Sequence, residues 1–311
     1  MKTLICGSLA YDSIMVFQGR FKDHILPDQV HILNVAFLVP TLRQEFGGVA
    51  GNIAYNLKLL GGDPLPLCTI GDNAAEYLAR FDDLGIDRSG VLRIEGTRTA
   101  QAFITTDLDD NQITAFHPGA MAHSHRNPIP DEVPIAVALV GPDGREGMLA
   151  HARDLAARRI PFLFDPGQAM PQFSGEELGW FVEHATYLAV NDYEGKMLAS
   201  KMGCELDALA RRLQALIVTR GAEGSQVHTG GGVLEIPPAP AAQVVDPTGC
   251  GDAYRAGVLY GIVAGMPWET TGRLASVMGA AKIEHNGAQR HAPTRAQIAQ
   301  RFRDAYGYDA W

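Results

Sequence analysis

The chain of 311 residues is 46% hydrophobic, ample for a large core, and carries a formal net charge of −9. That acidic balance argues against a nucleic-acid partner, which needs a basic face, but not against a nucleotide held by a few local groups. No apolar run approaches membrane-spanning length, and the four cysteines (Cys6, Cys68, Cys204, Cys250) lack metal spacing, so no membrane partner, reduced thiols and a cytoplasmic location are expected.

Residues 3–8 read as a first buried strand ending at Gly7-Ser8, with Asp12 a few positions on. Ligands of open α/β sheets bind beyond the carboxyl ends of strands, so Asp12 is a candidate acceptor for substrate hydroxyls; an ordinary turn aspartate is the competing reading. Residues 13–42 break the pattern. Ile14–Phe17 and Ile32–Val39 are short apolar runs, expected as strands of a separate small sheet. Gly47-Gly48 then opens a helix to about Leu60. Paired glycines let a substrate approach the backbone closely, and Asn52 could donate to and accept from a diol.

Strand, helix and strand follow at 65–70, 74–84 and 91–94. Residues 99–107 and 112–116 flank Leu108-Asp109-Asp110-Asn111, a hairpin signature. The excursions at about 13–42 and 97–117 are expected to pair as a small lid over the ends of the main strands. Phe17, Phe37, Phe103 and Phe116 on this lid suit stacking on a flat base, or else form the lid's own core or a dimer contact. Strands at 135–140, 160–164, 187–190 and 216–219 then alternate with helices, each strand ending in polar or glycine-rich sequence. This implies an α/β fold, a doubly wound, mostly parallel sheet flanked by helices, with 1–311 a single domain plus lid.

Asn191-x-x-Glu194 follows one strand end. The pair could hold Mg²⁺ through its hydration shell, and it could equally be a helix capping box. Asp246-Pro247-Thr248-Gly249-Cys250-Gly251-Asp252 precedes a helix over 253–264, and two more are expected at 268–284 and 293–306. Small residues at a loop-to-helix junction free N–H groups for an anion. An aspartate beside such a site suits a base that deprotonates a hydroxyl attacking a bound phosphoryl group, as in a kinase acting on an alcohol. The plainer reading is a first-turn helix aspartate.

Gly47-Gly48-x3-Asn52, Asn191-x-x-Glu194 and Asp246-Pro-Thr-Gly-Cys-Gly-Asp252, in this order, resemble the ribokinase-like (PfkB) carbohydrate and nucleoside kinases. Gly7-Ser-Leu-Ala-Tyr-Asp12 and Phe116-His-Pro-Gly-Ala-Met121 look most like the bacterial adenosine kinases. The resemblance implies ATP-dependent phosphorylation of a nucleoside 5′-hydroxyl, adenosine first, with a sugar kinase or a broad nucleoside kinase as alternatives. It implies that Asp252 is the base and that the N–H groups of Gly249, Cys250 and Gly251 form the anion hole. Asp12, Gly48 and Asn52 would hold the ribose, Phe116 would pack on the base, and Ser8 and Gln168 would be lesser contacts. Thr219, Gly221 and Gly224 would line ATP, with Asn191 and Glu194 organising Mg²⁺. K⁺, used by many members, would lie by Asp246 and Thr248, opposite the 284–290 turn. A monomer or homodimer is expected. Cys250 stands where the family usually has Ala; only its backbone is needed there.

Overall fold

The computed structural model describes residues 1–25, 34–109 and 111–311. The first half contains β1 (Lys2–Cys6), β2 (Ala10–Val16), β3 (Thr41–Gly47), α1 (Val49–Leu59), β4 (Pro64–Ile70), α2 (Ala75–Leu84), β5 (Val91–Arg93), β6 (Ala100–Thr106), β7 (Gln112–His117) and β8 (Ile135–Val140). The second half adds α3 (Arg145–Ala157), β9 (Phe162–Phe164), α4 (Gly175–His184), β10 (Tyr187–Asn191), α5 (Asp192–Met202), α6 (Leu206–Ala210), β11 (Ala215–Thr219), β12 (Ser225–Thr229), β13 (Gly232–Ile236), α7 (Cys250–Val263), α8 (Trp268–Ile283) and α9 (Arg295–Tyr306).

Among the described residues the main sheet runs β13-β12-β11-β10-β9-β8-β1-β4-β5. It is parallel from β11 to β5, and β12 and β13 are antiparallel. The parallel strands are near-continuous apolar runs because both of their faces are covered. Successive side chains alternate between faces. Leu4, Cys6, Ala138, Val140 and Phe164 pack with α3, α4 and α5 on one side. Ile5, Val137, Leu139 and Leu163 pack with α1, α2 and α7 on the other. Each fully buried aliphatic side chain contributes about 1.5–3 kcal/mol relative to exposure. The doubly wound expectation holds, and it puts the carboxyl ends of β1, β9, β10 and β11 along one edge.

A second sheet, β3-β2-β6-β7, rises from that edge as the expected lid. Its β6–β7 strands form the expected hairpin, with Thr106 opposite Gln112. The turn is held by Asp107 Oδ1, which accepts the N–H groups of Asp109 and Asn111, each at 2.9 Å; Asp110 lies outside the described residues. The first excursion differs from expectation. Residues 34–39 form no strand, and Ile32 and Leu33 lie outside the described residues. The partner of β2 is instead Thr41–Gly47, just after Pro40. Proline has no N–H for a ladder, so pairing begins beyond it. The β12–β13 hairpin at 225–236 was also unanticipated; its turn is the two-residue Gly230-Gly231, closed by the Thr229–Gly232 pair.

Candidate active site

The loop 246–249 turns sharply into α7. Gly249 sits at φ +79°, and a Cβ there would lie 2.7 Å from the Ala288 side chain. Both reasons demand glycine. Asp246 braces the loop: Oδ1 accepts the Thr248 N–H and Oδ2 the Gly287 N–H, both at 2.8 Å. Burial opposes ionisation of Asp246, but these bonds and nearby Lys282 hold its carboxyl below the usual range. Among the described residues the N–H groups of Gly249 and Gly251 have no protein acceptor, whereas the Cys250 N–H bonds Pro247 O at 3.1 Å. Free N–H groups at a helix N-terminus favour an anion. The approach segment 241–245 is exposed rather than part of the core.

Asp252, in the first turn of α7, reaches back across the chain. Its Oδ2 accepts from Asn52 Nδ2 at 2.8 Å. Asn52 is held in turn, since its Oδ1 accepts from Gln289 Nε2 at 3.0 Å. Gln289 is oriented by Arg80 Nε, which donates to its Oε1 at 3.1 Å, and by the Tyr77 hydroxyl at 2.9 Å. The amide of Asn52 thus donates to Asp252 because its oxygen is already engaged. Burial pushes the Asp252 carboxyl up to about 7; Asp165 and Asp12 add to the rise, while Asn52 and Arg255 oppose it. A carboxylate poised there can take a proton near neutral pH.

One turn further along α7, Arg255 is buried and paired with buried Asp165, which lies at the end of β9. Its Nε donates to Asp165 Oδ2 at 2.8 Å, and its guanidinium lies 4.0 Å from Glu194 Oε2. Asn191 and Glu194 form the capping box: Asn191 Oδ1 accepts the Glu194 N–H at 2.7 Å, and Glu194 Oε2 accepts the Asn191 N–H at 2.8 Å. Glu194 Oε1 accepts no hydrogen bond among the described residues. Burial, with Asp165 adding and Arg255 opposing, raises the Glu194 pKa. No group of three or more His, Cys, Asp or Glu among the described residues could hold a bare metal ion. One spare carboxylate oxygen fits a hydrated Mg²⁺, which keeps most of its waters.

Asp12 lies within lid strand β2 rather than in a loop after β1, a correction to its expected setting. It stands opposite Glu45 on β3 and Ala102 on β6, and Ala102 stands opposite Phe116 on β7. Directly opposed residues share a face, so Asp12 and Phe116 line one row, about 10 Å apart across two strand spacings. Burial, then Glu45 and Asp246, push the Asp12 carboxyl up to about 6. Phe116 is 51% exposed, free to meet a ligand. Phe17 and Phe37 instead pack on Phe21 as part of the lid's own core, with ring centroids 4.8–6.1 Å apart.

Gly48 caps α1 at φ +85°, where a Cβ would lie 2.6 Å from Ala10 N and Ser8 O. Ser8 Oγ accepts the Val49 N–H at 3.3 Å, a structural engagement. Gln168 is exposed in the short 3-10 turn after β9. Thr219 ends β11, and the following turn closes through Arg220 N–H to Gly224 O at 2.8 Å, with Gly221 and Gly224 both at positive φ.

Residues 9–295 match the pfkB family carbohydrate kinase profile. The chain belongs to that family. A nucleoside kinase from Burkholderia thailandensis, solved with inosine, is 55% identical with a TM-score of 0.90, covering 99% of each chain. A nucleoside kinase from Methanocaldococcus jannaschii is 33% identical over 86% of this chain and 89% of its own length. A ribokinase from Thermotoga maritima shares the fold, with a TM-score of 0.77 at 18% identity over 97% of this chain and 99% of its own. The fold of this pfkB family member is therefore ribokinase-like.

The structure brings together Asp252, Asn52 and the α7 N-terminus, with Asp12 close enough to bias Asp252. Asn191 and Glu194 join them through Arg255. Gln289, Arg255, Asp165 and Lys282 were not anticipated. Arg255 is three positions after Asp252, a helical spacing that could have flagged it. Nothing local marks Gln289. Lys282 Nζ donates to the carbonyls of Asp246 at 2.6 Å and His285 at 3.0 Å, the region where K⁺ was expected.

Proposed function

We propose that this protein transfers the γ-phosphoryl group of ATP to the 5′-hydroxyl of a purine nucleoside, with adenosine as an acceptor. The single observation carrying this is Asp252: a carboxylate with a pKa pushed up to about 7, hydrogen-bonded through Asn52 and set beside free N–H groups. Similarity to nucleoside kinases, one solved with inosine, supports the acceptor class and makes inosine the natural comparison.

The chemistry balances simply. Asp252 takes the hydroxyl proton while the 5′-oxygen bonds to the γ-phosphorus and the bond to the β-phosphate oxygen breaks, releasing ADP. Gly249 and Gly251 N–H groups, joined by that of Cys250 once it leaves Pro247, meet the charge on the transferred group. Asp12, Gly48 and Asn52 hold the ribose, with Phe116 against the base and Ser8 and Gln168 nearby. Thr219, Gly221 and Gly224 follow ATP. Mg²⁺, when bound, neutralises phosphate charge, and Asn191 and Glu194 would hold it through water. Lid closure excludes water from the phosphoryl group.

A coupled ADP-release assay with adenosine, inosine, ribose and fructose tests this. ADP release with either nucleoside and none with the free sugars is expected. Release with ribose or fructose alone would overturn the acceptor assignment.

A further inference from the structure

Two chain segments that meet behind the anion-binding turn are joined by one side chain. Lys282, in the last turn of α8, is fully buried, and its Nζ donates to Asp246 O at 2.6 Å and His285 O at 3.0 Å. The first carbonyl opens the 246–251 loop. The second opens the turn whose Gly287 N–H reaches Asp246 Oδ2, whose Ala288 abuts Gly249 and whose Gln289 holds Asn52. Val245 and Asp246 N–H also bond the carbonyl of Ile283, at 2.8 and 3.2 Å. A buried ammonium is costly unless its surroundings compensate. Here carbonyl dipoles and the Asp246 carboxylate do so; burial lowers the Lys282 pKa, while Cys250 and Asp246 oppose that drop.

A monovalent cation expected between the Asp246–Thr248 loop and the 284–290 turn does not fit this arrangement, because one carbonyl from each segment, Asp246 O and His285 O, already accepts from the Lys282 ammonium. We propose that the Lys282 ammonium is a built-in replacement for K⁺: it clamps the anion-binding turn and supplies the fixed positive charge behind it, so that catalysis needs no added monovalent cation. Lys282 is a positioning residue, since nothing places it on substrate. The proposal rests on the kinase reading above, and its test is arranged so that the two fail separately.

The wild-type protein is assayed with saturating Mg²⁺ in K⁺, Na⁺ or tetramethylammonium chloride at one ionic strength, which keeps general screening constant. Rates agreeing within about twofold are expected, whereas saturable K⁺ activation of about fivefold or more would overturn the proposal. Lys282→Met keeps the length of the side chain and removes its charge. It should lose about tenfold or more in rate in tetramethylammonium, with part of that loss restored by K⁺ or NH₄⁺. A wild-type rate for that variant without added cation would refute the clamp. Thermal melting decides even if no acceptor is phosphorylated: K⁺ should raise the Tm of Lys282→Met above its value in tetramethylammonium and leave the wild type unmoved. A K⁺-specific Tm rise in the wild type would overturn the proposal. The wild-type salt series needs no variant, so a Lys282→Met protein that fails to fold does not block the test.

Discussion

Replacing Asp252 by Asn should remove turnover and at the same time make the protein more stable at alkaline pH. The amide keeps an oxygen to accept from Asn52 Nδ2, so the network that orients it survives. Loss of the base should cost roughly 10²–10⁴-fold in kcat, with nucleoside binding retained. The gain in stability follows from burial. The folded carboxyl titrates at about 7, against 3.8 for a free aspartate. In the folded protein ionisation is therefore disfavoured, and the penalty is fully present above pH 7, shrinks as pH falls and is absent below about pH 4. The difference between 3.8 and about 7 corresponds to about 4 kcal/mol at most. Asp252 is partly exposed, so about 2–4 kcal/mol is a fair range. With an unfolding entropy of about 2.1 cal/mol/K per residue, that is about 3–6 °C in Tm. Melting curves of both proteins from pH 4 to 9, beside the ADP-release assay, measure both effects. A Tm difference that does not change with pH, or turnover within about threefold of wild type, would refute the reasoning.

Three further outcomes follow from the same geometry. Since Asp252 must be ionised to accept a proton and its pKa is about 7, kcat/KM should fall on the acid side with a midpoint near neutrality, read from a pH profile at constant ionic strength. Arg255→Met strands the buried Asp165 carboxylate and should cost about 3–5 kcal/mol in denaturant unfolding, while adding Asp165→Leu should recover most of it. Gly48→Ala sets a Cβ 2.6 Å from Ala10 N and Ser8 O at a left-handed φ, and should cost at least about 2 kcal/mol in the same measurement.

The parts of the site that could be read from the chain are those made by local chemistry. Small residues before α1 and α7, and the cap at Asn191, sit where helix starts leave N–H groups free, and such starts follow local rules. The parallel strands were legible as apolar runs. Asp12 was misplaced because a strand leaving the core through Gly7-Ser8 and pairing at once in another sheet looks, locally, like a loop. β3 is hidden in the sequence because the apolar run at 32–39 is a stronger strand signal than the weak alternation of 41–47, although Pro40, with no N–H, bars a ladder from starting before Thr41. Lys282 was invisible for a different reason. Lysine in the last turn of a helix is ordinary, and only the docking of two distant loops buries it. Gln289 likewise acquires its meaning entirely from partners elsewhere in the chain.

The clasp among Asn52, Asp252 and Gln289 spans sequence separations of 200 and 237 residues. At a synthesis rate of about 5–20 residues per second, a ribosome needs about 10–50 s to travel from the first of these to the last. Throughout that interval the early segment carries Asn52 without the late groups that aim its amide. Contacts this remote are also slow to close. In a refolding experiment, enzymatic competence should therefore return after most helical signal has recovered, reporting the final docking of the late turn onto the rest.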